Sequence, residues 1–477
     1  KSSSPSSEKV IGVDIGTHSL RAVLVDRRGA VLAKARIPYS RAFRQAGWAE
    51  QSAETWERAL EQAVREVTAG EDAADIKAIC LAQQRGAVVP ADGEGEPLIP
   101  ALCDSDQRGQ GPLNEVVRLM GAGRLYETTG CPAVTFVALP KLLWVKESLP
   151  DVWDRTALWL TPHDYIVRKL TGRAVSTGSA MLRTGLLDLR KPQSYAGELL
   201  RHIGVEASRL PELKAPTDIV GRVSREAAAK LGLAEGTPIV GGLGDQSAGA
   251  IAMGVGEGEA ALNLGTSFVM TVPVAEPRFD PERKCTIELY PPIGYAVEIG
   301  SGAGTNMIDW MRDSMFGEMD GCEAELTRLA EQVPPGADGL EIVPSIWGAV
   351  NGKSGASISG ITHRHGRGHL FRALLEGLAL DVERTRDKLA ATLGALPGVV
   401  YAFGGAAQNP LFCRILADAL QVRLIAASMP EASAYGAAVH AAVGLGWHPS
   451  HRAAAKKMNL RGAVYAPSTG NAAAARR

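Results

Sequence analysis

Val13-Asp14-Ile15-Gly16-Thr17-His18-Ser19 in the first half of the chain and Leu262-Asn263-Leu264-Gly265-Thr266-Ser267 in the second share one pattern. Each is an apolar run broken by a small polar residue, then Gly-Thr, then another apolar run. Such a segment reads as two strands joined by a tight turn. Glycine lets the backbone approach a ligand, and the turn amides and Thr hydroxyl can point at an anion. One hairpin of this kind fits any β-turn. Two, one in each half, indicate a duplicated fold that closes on a polyphosphate between its halves.

The flanking segments extend this reading. Residues 9–14, 21–26 and 31–39 are strand-like, with Arg28-Gly29 the clearest turn between them. Residues 53–67 follow with helical spacing, placing Trp56, Leu60, Val64 and Val67 on one face, and residues 76–81 form a short buried-type strand. A similar order recurs after Pro238, with strands over 239–242, 260–264, 268–272 and 295–299 and a helix over 307–316. Residues 369–389 predict a long helix with Phe371, Leu374, Leu375, Leu378 and Val382 in one stripe. A strand at 399–403 and helices at 410–420 and 430–443 complete the pattern. The expected organisation is a disordered leader over 1–8, an N-terminal domain over 9–235, a C-terminal domain over 236–465 and a tail over 466–477. Residues 91–215 read as loop-rich insertions that carry substrate specificity.

The 477 residues, 45% apolar and 22% charged, suit a globular protein of two or more domains. A formal net charge of -1 gives no electrostatic case for nucleic acid or an anionic membrane, and no apolar run is long enough to span a bilayer. Cys80, Cys103, Cys131, Cys285, Cys322 and Cys413 form no Cys-x-x-Cys pair. That argues against a zinc site or redox dithiol and for buried thiols in a reducing compartment, so a cytoplasmic protein is expected.

Three places carry chemistry. Asp14 ends a strand just before Gly16-Thr17. A carboxylate beside a phosphate loop is repelled unless a cation lies between them, and Mg²⁺ supplies one. Arg21, shortly downstream, could reach a transferring phosphoryl group. The plain alternative is a turn-capping Asp with a surface Arg. Gly241-Gly242-Leu243-Gly244-Asp245-Gln246 puts Asp245 at a helix N-terminus, which stabilises its ionised form. An ionised Asp near a hydroxyl can accept its proton as the oxygen attacks phosphorus. The alternative is a helix cap, although three glycines give more room than a cap requires. Phe403-Gly404-Gly405-Ala406-Ala407-Gln408-Asn409-Pro410 runs from strand to helix through a turn that can take a flat base or ribose, with Asn409 able to bond either. A structural Gly-Gly turn is the alternative. His363, His365 and His369 suggest a metal cluster at first sight; with no acidic residue near them they read as a solvated loop before the long helix.

Taken in order, these places resemble the FGGY carbohydrate kinase family, within the sugar kinase/Hsp70/actin superfamily. Asp14-Ile15-Gly16-Thr17 with Arg21 is similar to its first phosphate motif and Leu264-Gly265-Thr266-Ser267 to its second. Gly244-Asp245-Gln246 is similar to its catalytic-base motif. Phe403 to Asp418, followed by Glu431-Ala432-Ser433-Ala434-Tyr435-Gly436, resembles its adenosine segment and C-terminal signature. Ala138-Leu139-Pro140-Lys141-Leu142-Leu143-Trp144, Asp164-Tyr165 and Lys169-Leu170-Thr171-Gly172 match its N-terminal domain. The resemblance implies an α/β fold of two actin-like (ribonuclease H-like) domains with an interdomain active-site cleft. It implies ATP and Mg²⁺ as cofactors and Asp245 as the catalytic base. Asp14, Gly16, Thr17, Arg21, Gly265, Thr266, Gly302, Gly404, Gly405, Ala406 and Asn409 would bind nucleotide, and Asp14 and Asp245 the metal.

The sugar would sit against Gln83-Gln84-Arg85-Gly86, which occupies the place of the family's first sugar-contacting loop; Gln84 and Arg85 are the candidates, an exposed polar loop the alternative. Asp106 and Arg108 fit the family's Asp-x-Arg, with Asp104 where a Trp is usual. Phe136 stands where glycerol kinases carry Tyr, and Gln246 follows Asp245 as in glycerol kinases, whereas residues 138–144 are more similar to xylulokinases. Residues 347–355 lack the Gly-Glu-Arg-x-Pro of many relatives. Asp106, Phe136, Asp245 and Gln246 join Gln84 and Arg85 as expected sugar contacts. The function implied is ATP-dependent phosphorylation of a small sugar, a pentulose first and a polyol such as glycerol or erythritol second. A nucleotide-dependent ATPase or sensor of the same superfamily is the rival. The partners expected are the sugar or polyol and ATP, with a homodimer left open.

Overall fold

A computed structural model describes residues 8–316, 322–345, 355–395 and 397–468. Residues 1–7 of the leader, the end of the tail and most of the 347–355 loop fall outside them. The chain divides into two units. The first joins the residues up to Gly254 with Phe279–Ala296 and Ser433–Asn459; the second joins Val255–Arg278, Val297–Ala432 and the residues from Leu460.

In the first unit the strands Lys9–Ile15, Ser19–Asp26 and Val31–Pro38 form an antiparallel meander. Ile76–Gln83 lies parallel to Lys9–Ile15 on its other side, followed by Pro238–Gly244, parallel, and Ile219–Arg222, antiparallel at the edge. The central strands are buried along nearly their whole length, as the unbroken apolar runs require, while Val31–Pro38 at the far edge is only half covered. The helix Ala53–Val67 turns Trp56, Leu60, Val64 and Val67 inward, the face read from the spacing. They join Ile11, Val13 and Ile79 in one core, where burying a Trp or Leu side chain contributes about 1.5–3 kcal/mol. Gly12 is required here. A Cβ on it would lie 1.9 Å from the Ala434 carbonyl oxygen, so the helix Ala432–Gly444 reaches the sheet only across a glycine.

The second unit repeats the scheme. Ala260–Leu264 and Phe268–Val274 are an antiparallel hairpin with Gly294–Gly300 beside it. Val399–Phe403 and Arg423–Ala427 continue in parallel from Ala260–Leu264, and Arg461–Tyr465 closes the edge antiparallel. A seventh strand, Thr286–Tyr290, lies beyond Gly294–Gly300; the other six follow the order of the first sheet, which is the duplication that the two hairpins indicated.

Several expectations are corrected. Residues 239–242, read as opening the second half, are part of Pro238–Gly244 and complete the first sheet. An apolar run announces a strand but not the sheet it joins. Residues 91–215 are richer in helix than expected: Gln110–Met120, Leu139–Ser148 and Pro162–Thr171 are among their helices, and Leu113, Leu142, Trp159 and Leu200 share a separate core. The long helix runs over Arg367–Leu393, and the helix beginning at Thr305 becomes a π turn over Arg312–Phe316. His369 does have an acidic neighbour, with Asp338 Oδ2 3.2 Å from its Nε2. All six cysteines are buried thiols outside any disulfide. No described helix is long and apolar enough to cross a membrane.

Candidate active site

The first hairpin places Asp14 directly opposite Arg21 in the strand register. Arg21 Nη1 lies 3.4 Å from Asp14 Oδ2, and Asp14 is 4% exposed. Its other oxygen, Oδ1, is buried with no hydrogen-bond partner among the described residues. Burial therefore pushes the Asp14 carboxyl up to about 7; Arg21 opposes this, and the charge of Asp245 adds to it. The turn is tight. The Gly16 amide donates to the Ser19 carbonyl at 3.1 Å, Tyr39 Oη donates to the Gly16 carbonyl at 2.7 Å, and Thr17 is half-buried at the tip.

Asp245 is the first residue of the helix Asp245–Met253, with Gly244 as its cap. Its Oδ1 accepts from the Gln246 amide at 2.9 Å and from Arg85 Nε at 2.8 Å. The three glycines before it each make room for something specific. A Cβ at Gly241 would lie 2.3 Å from the Pro216 carbonyl oxygen, at Gly242 2.2 Å from the His163 ring, and at Gly244 2.6 Å from Arg85 Cδ. The last of these lays the Arg85 stem across the backbone, so its guanidinium meets the carboxylate at the helix start. Gln246 is buried, and its Oε1 has no partner among the described residues.

Two charged residues that sequence reasoning missed complete this cluster. Glu288, in the strand Thr286–Tyr290, accepts at Oε1 from Arg85 Nη1 at 2.7 Å and from Arg183 Nε at 2.8 Å. Arg183 in turn lies over the Phe136 ring, 5.0 Å from its centroid. The available signal was a lone Glu inside a buried apolar run. The first unit thus brings Asp14, Arg21, Arg85, Phe136 and Asp245 into one connected group.

Gln84 and Asp106 stand apart from it. Gln84 is 2% exposed, its amide donates to the Ile15 carbonyl, and its side chain is held between Arg41 and Gln51. Asp106 is fully buried, accepting from the Ala49 amide at 2.8 Å and from Arg108 Nε at 2.9 Å, while Arg108 is flanked by the rings of Trp48 and Trp144. A carboxylate sealed this way has no surface exposed. At Asp104, the position where Trp was expected, the carboxylate pairs with Arg41 at 2.6 Å. Lys141 is fully buried; it donates to the Thr135 and Val137 carbonyls at 2.6 and 2.9 Å, which secures the Phe136 loop, and burial lowers its ammonium to about 8.

In the second unit Gly265 and Thr266 form the turn between the paired strands, with Thr266 exposed. The Gly265 carbonyl accepts from the Thr305 amide at 3.0 Å, and a Cβ at Gly304 would lie 2.4 Å from the Thr266 carbonyl oxygen. Asn263 stands where the first hairpin has Asp14, so only one copy of the repeat carries the acid. Its Oδ1 would be 2.8 Å from a Cβ at Gly404, which has φ +96°. Gly404 therefore packs against the second hairpin. Asn409 caps the helix Pro410–Leu420, accepting from the Phe412 amide at 3.2 Å and donating to Thr327 at 3.0 Å. The Gly302 amide donates to Asp381 at 2.8 Å.

A twice-repeated sheet with glycine-turn hairpins, a buried acid and an acid at a helix start defines a sugar-kinase type of phosphotransferase. Residues 9–252 match the N-terminal domain of the FGGY family of carbohydrate kinases and residues 260–445 its C-terminal domain. The chain belongs to the FGGY family, with its two-domain actin-like fold, and is a phosphotransferase with an alcohol group as acceptor. It is 29% identical to the xylulose kinase of Bacillus subtilis (strain 168) over 471 residues, which is 97% of this chain and 93% of that one. It is 28% identical to the glycerol kinase of Nocardia farcinica over 462 residues, 92% of this chain and 90% of that one. The solved xylulose kinase from Rhodospirillum rubrum superposes with a TM-score of 0.86 at 29% identity, covering 98% of this chain and 96% of that one.

Proposed function

We propose that this protein transfers the γ-phosphate of ATP to a hydroxyl of a pentulose. The observation that carries the reading is Asp245, placed at a helix start beside Arg85 and within the electrostatic reach of Asp14. The Asp245 carboxylate takes the hydroxyl proton, the sugar oxygen forms its bond to the γ-phosphorus, and the bond from that phosphorus to the β-phosphate oxygen breaks, releasing ADP. Gly16, Thr17 and Arg21 serve the phosphates, and Gly265, Thr266, Gly302, Gly404, Gly405, Ala406 and Asn409 serve the nucleotide. Asp14 and Asp245 would hold Mg²⁺. The buried, unpartnered Oδ1 of Asp14 fits a cation, which when bound neutralises phosphate charge. Arg85, Phe136 and Gln246 face the sugar.

The xylulose kinase relatives support a pentulose. Gln246 and the Nocardia glycerol kinase favour a polyol as the second reading. ADP release with Mg-ATP, measured across pentuloses, hexuloses, aldoses and polyols beside a sugar-free control, decides between them. A pentulose should raise the rate far above the control; a polyol preferred to every pentulose overturns the pentulose, and equal rates throughout overturn the kinase reading. Asp245→Asn should lower acceptor-dependent turnover by about 10²–10⁴-fold, the usual worth of a general base, while ATP still binds.

A further inference from the structure

Arg41 is almost wholly buried, its side chain 3% exposed, and Asp104 is the carboxylate that meets it. Its Nη1 donates to Asp104 Oδ1 at 2.6 Å and to Ser105 Oγ at 3.0 Å, and its Nη2 donates to Gln84. Its Nε is buried with no partner among the described residues. Burying a guanidinium is costly unless a charge meets it, so this one is committed to Asp104. Asp104 is not buried in return. Arg41 takes Oδ1 alone, and the Asp104 side chain is 41% exposed. The carboxylate lies in a recess: desolvation opposes its charge, but Arg41, Lys141 and the Ser105 amide outweigh this and hold the group below its usual range. Two residues on, Asp106 takes the opposite course in the same loop, fully buried with both oxygens bonded.

The recess adjoins the residues proposed to face the sugar. Gly86 has φ +78°, and a Cβ on it would lie 2.1 Å from the Phe136 carbonyl oxygen and 3.5 Å from Asp104 Cβ. Asp104 and Phe136 therefore meet across the residue that follows Arg85. Lys141 fastens the Phe136 loop through the Thr135 and Val137 carbonyls, at 2.6 and 2.9 Å. We propose that Asp104 is a specificity-determining contact of the acceptor site: its outward oxygen, Oδ2, accepts from a hydroxyl of a polyhydroxylated acceptor other than the hydroxyl that is phosphorylated. A carboxylate only accepts, so the position calls for a donor on the acceptor. Where an analogue has a bare carbon instead, the charge loses its water and gains nothing, and the site rejects that analogue. Arg41 supplies the rigidity, holding one oxygen inward and leaving the other outward. This inference rests on the kinase reading and on a sugar that lies beside Arg85 and Phe136.

The test pairs a change in the protein with a change in the acceptor. With Mg-ATP, the acceptor of highest rate is compared with each monodeoxy analogue that keeps the phosphorylated hydroxyl, for the wild-type protein and for Asp104→Ala. The wild type should lose about 10–100-fold in kcat/KM on one analogue, the worth of a hydrogen bond to a charged group. Asp104→Ala should lose a similar factor on the full sugar, yet on that analogue stay within about threefold of the wild type. Structural damage would lower every acceptor alike, so equal losses throughout overturn the proposal. An Asp104→Ala variant with unchanged kcat/KM, or a wild type indifferent to every analogue, overturns it too. If Asp104→Ala strands the Arg41 charge and does not fold, the double variant with Arg41→Met removes both partners and is read by the same cycle. Should the wild type bind these sugars in calorimetry but phosphorylate none, the proposed function fails, and the cycle read on affinity for the tightest-binding sugar still decides Asp104. A protein that binds none of them overturns both.

Discussion

A carboxylate sealed from water costs free energy unless its charge is met, and at Asp14 only one of two oxygens is met. In the unfolded chain this group ionises near its ordinary 3.8; in the folded protein burial keeps the proton on until about 7. Between those values the folded state holds a proton the unfolded state has lost, so stability falls as pH rises through the window, by at most about 4 kcal/mol. Asp14→Asn removes that decline. At pH 8, without nucleotide or metal, the variant should melt higher than the wild type, and the two should converge toward pH 5. Calorimetry at both pH values checks this; a gap that does not change with pH overturns the buried-charge account. Asp14 and Asp245 could be picked out beforehand because each adjoins a glycine turn whose room demands a reason. Glu288, Arg183 and Arg41 could not, since what matters about them is a partner far away in the chain. Asp106 shows the converse: its motif is legible, but full burial against Arg108 appears only in three dimensions.

Among the elements, the helix Ala432–Gly444 is fastened by an unusual pair. His440 Nδ1 and His451 Nε2 are 2.7 Å apart, and His440 Nε2 is 2.8 Å from the Pro216 carbonyl. A carbonyl only accepts, so His440 Nε2 carries the proton and Nδ1 accepts from His451. Burial disfavours the charged form of both rings and pushes them down to about 4 and about 3, so near neutral pH neither is charged. Their unfolded counterparts take up protons below about 6.5, the ordinary histidine value. The pair's contribution is thus complete above that pH and is lost as pH falls toward 4. His451→Gln can still donate to His440 and removes one titrating ring, so thermal unfolding between pH 7.5 and 4.5 should show a shallower loss; an unchanged slope would rule the pair out as its source. Elements of this kind were largely readable. The helix Pro410–Leu420 begins on its Pro and the inward face of Ala53–Val67 follows from spacing, whereas the capping of the former by Asn409 appears only in the structure. What spacing could not say is that Pro238–Gly244 belongs to the first sheet, because parallel pairing joins strands that are remote in the chain.

At the scale of the molecule, the first unit is assembled from three stretches of chain. A fragment ending at Gly254 contains the whole first sheet but lacks Ala434 and Ala438, which cover Gly12, and the strand that carries Glu288. It should be poorly folded, with a collapsed amide spectrum in NMR, whereas adding residues 279–296 and 433–459 through short linkers should restore dispersion. A well-dispersed spectrum from the short fragment alone would show that these later stretches are dispensable. The same threading has a consequence at the ribosome. The first unit cannot close when its sheet has been made; it waits for about two hundred more residues, roughly 10–40 s at ordinary elongation rates. For that interval the apolar face that will receive the helix Ala432–Gly444 stands open, so the nascent chain is a client for protection by chaperones, and the two halves of this kinase mature nearly together although one is made first.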